Sequence, residues 1–153
     1  MSEINIQNIE TQNKYQKLLY GYDFLFKNLV ALYKKNKLPN KIIFNGNDGI
    51  GKATFVYHLI NVILSNNENA SYDISAKQIK ENNKSYLDLV NNSNFNFKHL
   101  KVDDYKKIIS IEEDMAFSRL YKINEEREIK KVIWITNLDS SELTTFFFLN
   151  KNN

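Results

Sequence analysis

The sequence predicts an α/β fold, a three-layer sandwich with helices on both faces of a mostly parallel central sheet. Three observations lead there. A short apolar run, Ile42–Phe44, feeds a glycine-spaced loop, and Lys52 then opens a segment with apolar residues at helical spacing. A second run, Lys131–Thr136 (KVIWIT), places four apolar residues in succession, as a strand covered on both faces does. The chain has 153 residues, which suits one domain of this kind and leaves no length for a full accessory domain.

The loop is the chemically informative stretch. Gly46, Gly49 and Gly51 let the chain turn tightly and bring backbone N–H groups towards phosphate oxygens, while the following helix adds its positive end. Gly46-x-x-x-x-Gly51-Lys52 satisfies a phosphate-loop pattern up to its last position, where Ala53 stands instead of the Ser or Thr that would hold Mg²⁺. Thr54 comes one residue late, and one residue turns a side chain by about 100° around a helix, away from the site that Ala53 faces. The candidate ligand residues are therefore Gly46, Asn47, Asp48, Gly49, Ile50, Gly51, Lys52, Ala53 and Thr54. The expected ligand is ATP or another nucleotide, held weakly or vestigially; no cofactor is required. A glycine-rich turn without a ligand is the plainer alternative.

Composition narrows the rest. A formal charge of +3, from 21 basic and 18 acidic side chains, is too mild to imply nucleic acid. Arg119 and Arg127 are the arginines available for bidentate phosphate or base contacts. The absence of Cys excludes disulfides, a thiolate nucleophile and Cys-ligated zinc. The opening MSEINIQNIETQNKYQK lacks the apolar core of a signal peptide, and no later apolar run approaches spanning length, so a cytoplasmic protein with no membrane partner is expected. Lys34, Lys35, Lys37 and Lys41 cluster before the loop, either as a solvated helix end or as a phosphate-facing patch.

Taken in order, residues 1–17 read as a loosely packed arm, 18–143 as the domain and 144–153 as a divergent or truncated tail. Asp23 can cap a helix to about Tyr33, with Phe24, Leu25, Leu29, Val30 and Leu32 as its apolar stripe. Pro39 stops helix continuation and leads into the Lys41–Asn45 strand. The Lys52–Leu64 helix presents Phe55, Leu59, Val62 and Ile63, widened by Val56 and Ile60, to a sheet. Ser75–Leu89 reads as mostly helical and Asn96–Val102 as a strand. Ile111–Tyr121 has mixed three- and four-residue spacing, with Glu112 and Glu113 near a helix start. The tail LTTFFFL, Leu143–Leu149, is β-prone and uncharged, suited to one more buried strand.

Hydrolysis of a nucleoside triphosphate needs an acid near the metal as well as the loop. Thr136 and Asn137 follow the best strand where that acid belongs, and Asp103, Asp104 and Asp139 are weak substitutes. Two faults in one metal site predict binding without hydrolysis. His58 reads as a surface or partly packed helix residue, His99 as structural and Trp134 as core; no nucleophile elbow or metal-ligand cluster accompanies them.

The pattern resembles the amino-terminal ATPase-like domain of the delta-prime subunits of bacterial DNA polymerase III clamp loaders, within the AAA+ superfamily of P-loop NTPase-like folds. Leu19-Tyr20-Gly21-Tyr22, Leu38-Pro39-Asn40, Ile43-Phe44-Asn45-Gly46 and Gly49-Ile50-Gly51-Lys52-Ala53-Thr54-Phe55 carry the resemblance. Ser93-Asn94-Phe95-Asn96, Ile109-Ser110-Ile111-Glu112 and Lys131–Asp139 extend it. It implies an incomplete AAA+ domain and a non-hydrolysing structural role in DNA replication. Implied partners are the gamma/tau and delta clamp-loader subunits, with primed DNA contacted only indirectly. Thr136 and Asn137 replace two family acids, and the family's later arginine segment, lid and collar are absent from this sequence. A small P-loop NTPase or kinase, or a free-standing nucleotide-binding interaction module, are the alternatives.

Overall fold

The computed structural model describes residues 13–101, 129–137 and 143–150. Helices α1 (Asp23–Lys34), α2 (Lys52–Leu64) and α3 (Lys84–Val90) and strands β1 (Lys41–Gly46), β2 (Phe97–Lys101), β3 (Ile129–Asn137) and β4 (Leu143–Asn150) follow a 3₁₀ turn at Asn13–Tyr15. The chain divides into two units. One comprises residues 1–38 and 51–94, the other residues 39–50 and 95–153.

The first unit is built around α2. Its sequence, KATFVYHLINVIL, carries apolar residues on every side, and Phe55 through Ile63 are all buried. A helix with that pattern is an interior element and needs neighbours all round. Phe26 of α1 meets Phe55 edge-on with ring centroids 5.8 Å apart, and lies 5.6 Å from the ring of Tyr72; Tyr22 closes on Phe55 at 5.2 Å. Burying a side chain of this size contributes about 2–3 kcal/mol. The phenol of Tyr33 donates to the Ile63 carbonyl (3.2 Å), pinning the far ends of α1 and α2 together.

Residues 13–17, the described end of the expected loose arm, are held tightly together with Leu18 and Leu19. The Leu19 N–H donates to the Lys77 carbonyl and the Ile79 N–H to the Lys17 carbonyl, at 3.0 and 2.8 Å. Lys14 Nζ donates to the Val90 carbonyl and Tyr86 to the Tyr15 carbonyl. Residues 13–19 thus tie the turn at 77–79 to helix α3.

Helix α1 ends within one residue of its expected bound, and Val30 and Leu29 of its expected stripe face inward, but the rest of that stripe does not. Phe26 and Val30 are buried, whereas Phe24, Leu25 and Leu32 of the expected stripe are exposed. Asp23 is not the cap. Tyr22 occupies that position in the left-handed region (φ 57°), and Asp23 pairs with Lys77 at 2.7 Å. That ammonium, as hydrogen-bond donor and as charge, holds the Asp23 carboxyl below the usual carboxylate range.

The predicted helix over 75–89 shrinks to α3. Residues 73–79 instead form a tight turn closed by reciprocal hydrogen bonds between Asp73 and Gln78. Helix α3 starts where tertiary groups allow it. Asn83 accepts from the Tyr86 N–H (2.7 Å), and Glu68 accepts from the N–H groups of Lys84 and Ser85, both at 3.0 Å, and from the Ser85 hydroxyl. A carboxylate here satisfies donors that a helix start leaves without partners and complements its positive end.

The second unit contains a four-stranded sheet in the order β1-β3-β4-β2. β1 and β3 run parallel, with Lys41 opposite Val132 and Gly46 opposite Asn137. β4 runs antiparallel to both neighbours, pairing Trp134 with Phe146 and Leu100 with the same residue on its other edge. The β-prone LTTFFFL is therefore an interior strand with no free edge, the arrangement that keeps such a segment from pairing with other chains.

This corrects the expected fold class. The sheet is mixed, and two of its three strand pairings are antiparallel, so it is not the mostly parallel sheet of a P-loop NTPase-like, AAA+ type three-layer sandwich. Nor is β1 covered on both faces, since its residues alternate and Ile43 is 57% exposed. Among the described residues, all three helices belong to the first unit and all four strands to the second. The expected helix at Ile111–Tyr121 lies outside the described residues. No helix among the described residues is long and apolar enough to cross a membrane.

Candidate functional site

The candidate residues lie on one continuous stretch that passes from the second unit into the first between Ile50 and Gly51. In the second unit, β1 ends at Gly46, which is buried, while Asn47, Asp48, Gly49 and Ile50 are exposed. Gly49 sits at φ 76°, in the left-handed region where a Cβ is costly, although nothing lies within 4 Å of where that Cβ would be. Backbone conformation, not crowding, calls for glycine there. Its N–H donates to Asp48 Oδ1 at 3.0 Å. The Asp48 carboxylate thus occupies one loop donor and puts a negative charge in the loop.

In the first unit, Gly51 is the residue before α2 and is also left-handed, at φ 85°. The α-helical ladder starts with the Phe55 N–H donating to the Gly51 carbonyl at 2.9 Å. Ahead of that bond, a first turn has N–H groups with no acceptor inside the helix. Lys52 stands in this turn and is only 8% exposed, an unusual burial for lysine. Ala53 is half-buried and offers no oxygen to a metal. The Thr54 hydroxyl donates to Asn13 Oδ1 at 3.0 Å, so its hydroxyl is already engaged by the 3₁₀ turn. The sequence carried no signal for that pairing, because Asn13 is distant along the chain.

The remaining acids considered for a metal, Asp103, Asp104 and Asp139, lie outside the described residues. Among the described residues, no group of three or more His, Asp or Glu side chains is placed to hold a metal ion. His99 lies in β2 opposite Phe147, and Trp134 in β3 opposite Phe146.

His58 departs most from expectation. It is completely buried, where the sequence suggests a surface or partly packed residue. The Tyr72 hydroxyl lies 2.7 Å from Nδ1, and the Gln16 carbonyl 3.1 Å from Nε2. A carbonyl only accepts, so Nε2 carries the proton and Nδ1 accepts from Tyr72, which assigns the neutral tautomer from its partners. Burial pushes the imidazole down to about 4, opposed by its bond to Gln16 and aided by the charge of Lys77. Burial likewise pushes the Tyr72 phenol up, with Asp73 adding to it. A dry imidazole with both nitrogens engaged is a core element, not a general base for bound substrate.

No family model matches the chain. No solved structure matches it either. Among curated proteins, it is similar to a MATH and LRR domain-containing protein of Plasmodium falciparum, at 25% identity over 155 residues. That alignment covers 100% of this chain and 2% of the relative, so the chain spans a small fraction of that protein's length.

These findings overturn the resemblance to clamp-loader delta-prime subunits. The sheet, with two of its three pairings antiparallel, departs from the mostly parallel AAA+ sheet, and the similarity found is to a MATH and LRR domain-containing protein, not to a clamp-loader subunit. The structural role in DNA polymerase III and DNA replication falls with it. The expected gamma/tau, delta and primed-DNA partners had no other support. The short motifs behind that reading fix local turns and caps, which unrelated folds share.

Proposed function

We propose that this chain binds the phosphate of a small ligand, ATP or another nucleotide, weakly and without turning it over. The carrying observation is Gly51 at φ 85° immediately before the thirteen-residue helix α2, with Lys52 in its first turn. Donors at a helix start and the positive end of its dipole favour an anion. The part played by Gly46, Asn47, Asp48, Gly49 and Ile50 rests on the spacing of their glycines along the chain. Asp48 supports weak binding, because its carboxylate repels a second anion. Ala53 supports the absence of turnover, since a Ser or Thr at that position would contribute a metal ligand.

Calorimetric titration with ATP, with and without Mg²⁺, tests this reading. The expected result is weak heat, little altered by magnesium, and lost in Lys52→Ala. Titration without heat in either condition would remove the binding claim. Magnesium-dependent phosphate release that Lys52→Ala abolishes would remove the claim of no turnover.

A further inference from the structure

Helix α1 carries a second apolar face, opposite its core. At about 100° per residue, Phe24, Leu25, Ala31 and Leu32 fall on the side away from Phe26 and Val30, around the exposed Asn28. Phe24 is 81% exposed, and Tyr20, just before the helix, is 77% exposed. Leu25 and Leu32 are also exposed. Such a face loses free energy to water unless something covers it.

Charge indicates what covers it. Lys27 and Lys34 run along one edge of the face, with Lys35 and Lys37 at its carboxyl end, all exposed. Asp23, the acid of this helix, is already paired with Lys77. Among the described residues no ion pair engages Lys34, Lys35 or Lys37. A surface that complements these charges is an anionic one. Protein interfaces are depleted in lysine, whereas lysines that flank exposed Phe and Leu on a helix suit a lipid headgroup layer, where long stems lie along apolar surface and ammonium groups reach phosphate.

We propose that the outward face of α1 is a peripheral docking surface for an anionic phospholipid bilayer. Phe24, Leu25 and Leu32 enter the interfacial layer, Tyr20 lies at headgroup level, and Lys27, Lys34, Lys35 and Lys37 meet the phosphates. The helix lies in the plane of the surface and does not cross it. This goes against the expectation, drawn from segment lengths, that the chain has no membrane partner.

Vesicle co-sedimentation of the full chain tests the proposal, comparing pure phosphatidylcholine with vesicles containing about 30 mol% phosphatidylserine, a composition that gives a negative surface potential. The chain should pellet with the anionic vesicles, remain in solution with the neutral ones, and be released in about 0.5 M NaCl, where the screening length is only a few ångströms. Each lysine near the surface is worth on the order of a fivefold change in partitioning, so Lys34→Glu/Lys35→Glu should abolish binding. Phe24→Ala should weaken it roughly tenfold through lost apolar insertion, while the exposed Lys80→Glu, on another element, should leave it nearly unchanged.

Three results would overturn the proposal: no pelleting with anionic vesicles, equal loss in Lys80→Glu and Lys34→Glu/Lys35→Glu, or full binding by Phe24→Ala. If the vesicles fail while an acidic Glu/Leu amphipathic peptide shifts the amide resonances of α1, the face docks protein and the lipid assignment is wrong.

Discussion

Asn61 and Asn83 exchange two side-chain amide hydrogen bonds in the dry interior, Nδ2 to Oδ1 at 3.0 Å in one direction and 3.2 Å in the other. Asn83 also donates to the Ala70 carbonyl (2.9 Å) and accepts from the Tyr86 N–H, so one residue joins α2, the 65–71 turn and the start of α3. Both side chains are fully buried, and an amide there is tolerated because its donors and acceptors are matched.

Asn83→Ala removes the helix cap and strands the amide of Asn61. A lost cap costs about 1 kcal/mol and an unsatisfied buried amide about 1–3 kcal/mol, so a loss of roughly 3 kcal/mol is expected in urea denaturation. Adding Asn61→Ala should cost less than the sum of the single changes, because the second substitution removes the stranded group. Additive losses would show that the pair is not coupled.

Glu68 to Ser85 should behave as a charge-assisted cap. Glu68→Ala leaves the Lys84 and Ser85 N–H groups of α3 without their acceptor, with an expected loss of about 2 kcal/mol, and Glu68→Gln should recover part of it. Equal losses in both variants would assign the effect to the charge alone.

The two phenylalanines near the start of α1 give a direct test of its orientation. Phe26→Ala removes a ring packed on Phe55 and Tyr72 and should cost about 3–5 kcal/mol. Phe24→Ala should change stability by less than about 0.5 kcal/mol, as expected for an exposed site. Reversed magnitudes would put the helix the other way round.

His58 makes stability pH-dependent with a definite sign. Its folded value, about 4, lies below the ordinary 6.5, so the unfolded chain binds the extra proton between those values. The contribution is full above about pH 6.5 and is lost as pH falls towards 4, by at most about 3 kcal/mol at 1.4 kcal/mol per pH unit. Asp23, held low by Lys77, acts in the same direction at lower pH. His58→Gln should flatten the profile between pH 6.5 and 4.5; a profile unchanged in slope would contradict the buried neutral tautomer.

Local signals in the sequence located elements well and their surroundings poorly. Lys52–Leu64 is helical to both expected bounds, since its pattern has no competing period, and Lys131–Thr136 lies within β3. The face of α1 was not legible, because DFLFKNLVALYK is apolar on two opposite sides and only packing against Phe55 and Tyr72 chooses between them. The start of α3 depends on Glu68 and Asn61, distant in sequence, so a local pattern placed the helix too early. Strand direction was equally hidden: LTTFFFL reads the same whether it runs with or against KVIWIT. At the candidate site, the glycine positions were readable from spacing, whereas the Asn13 partner of Thr54 and the full burial of His58 arise from the returning 13–19 segment.

On the proposed function, a phosphate-bearing ligand meets the chain at Gly51 and the first turn of α2. An amide-resolved NMR titration with ATP, free of Mg²⁺, reads this directly. Saturable shifts concentrated at Gly51–Thr54 and along Gly46–Ile50, absent in Lys52→Ala, are the predicted outcome. Shifts scattered over the exposed lysines of α1, or none at Gly51 and Lys52 at saturating ligand, would contradict it.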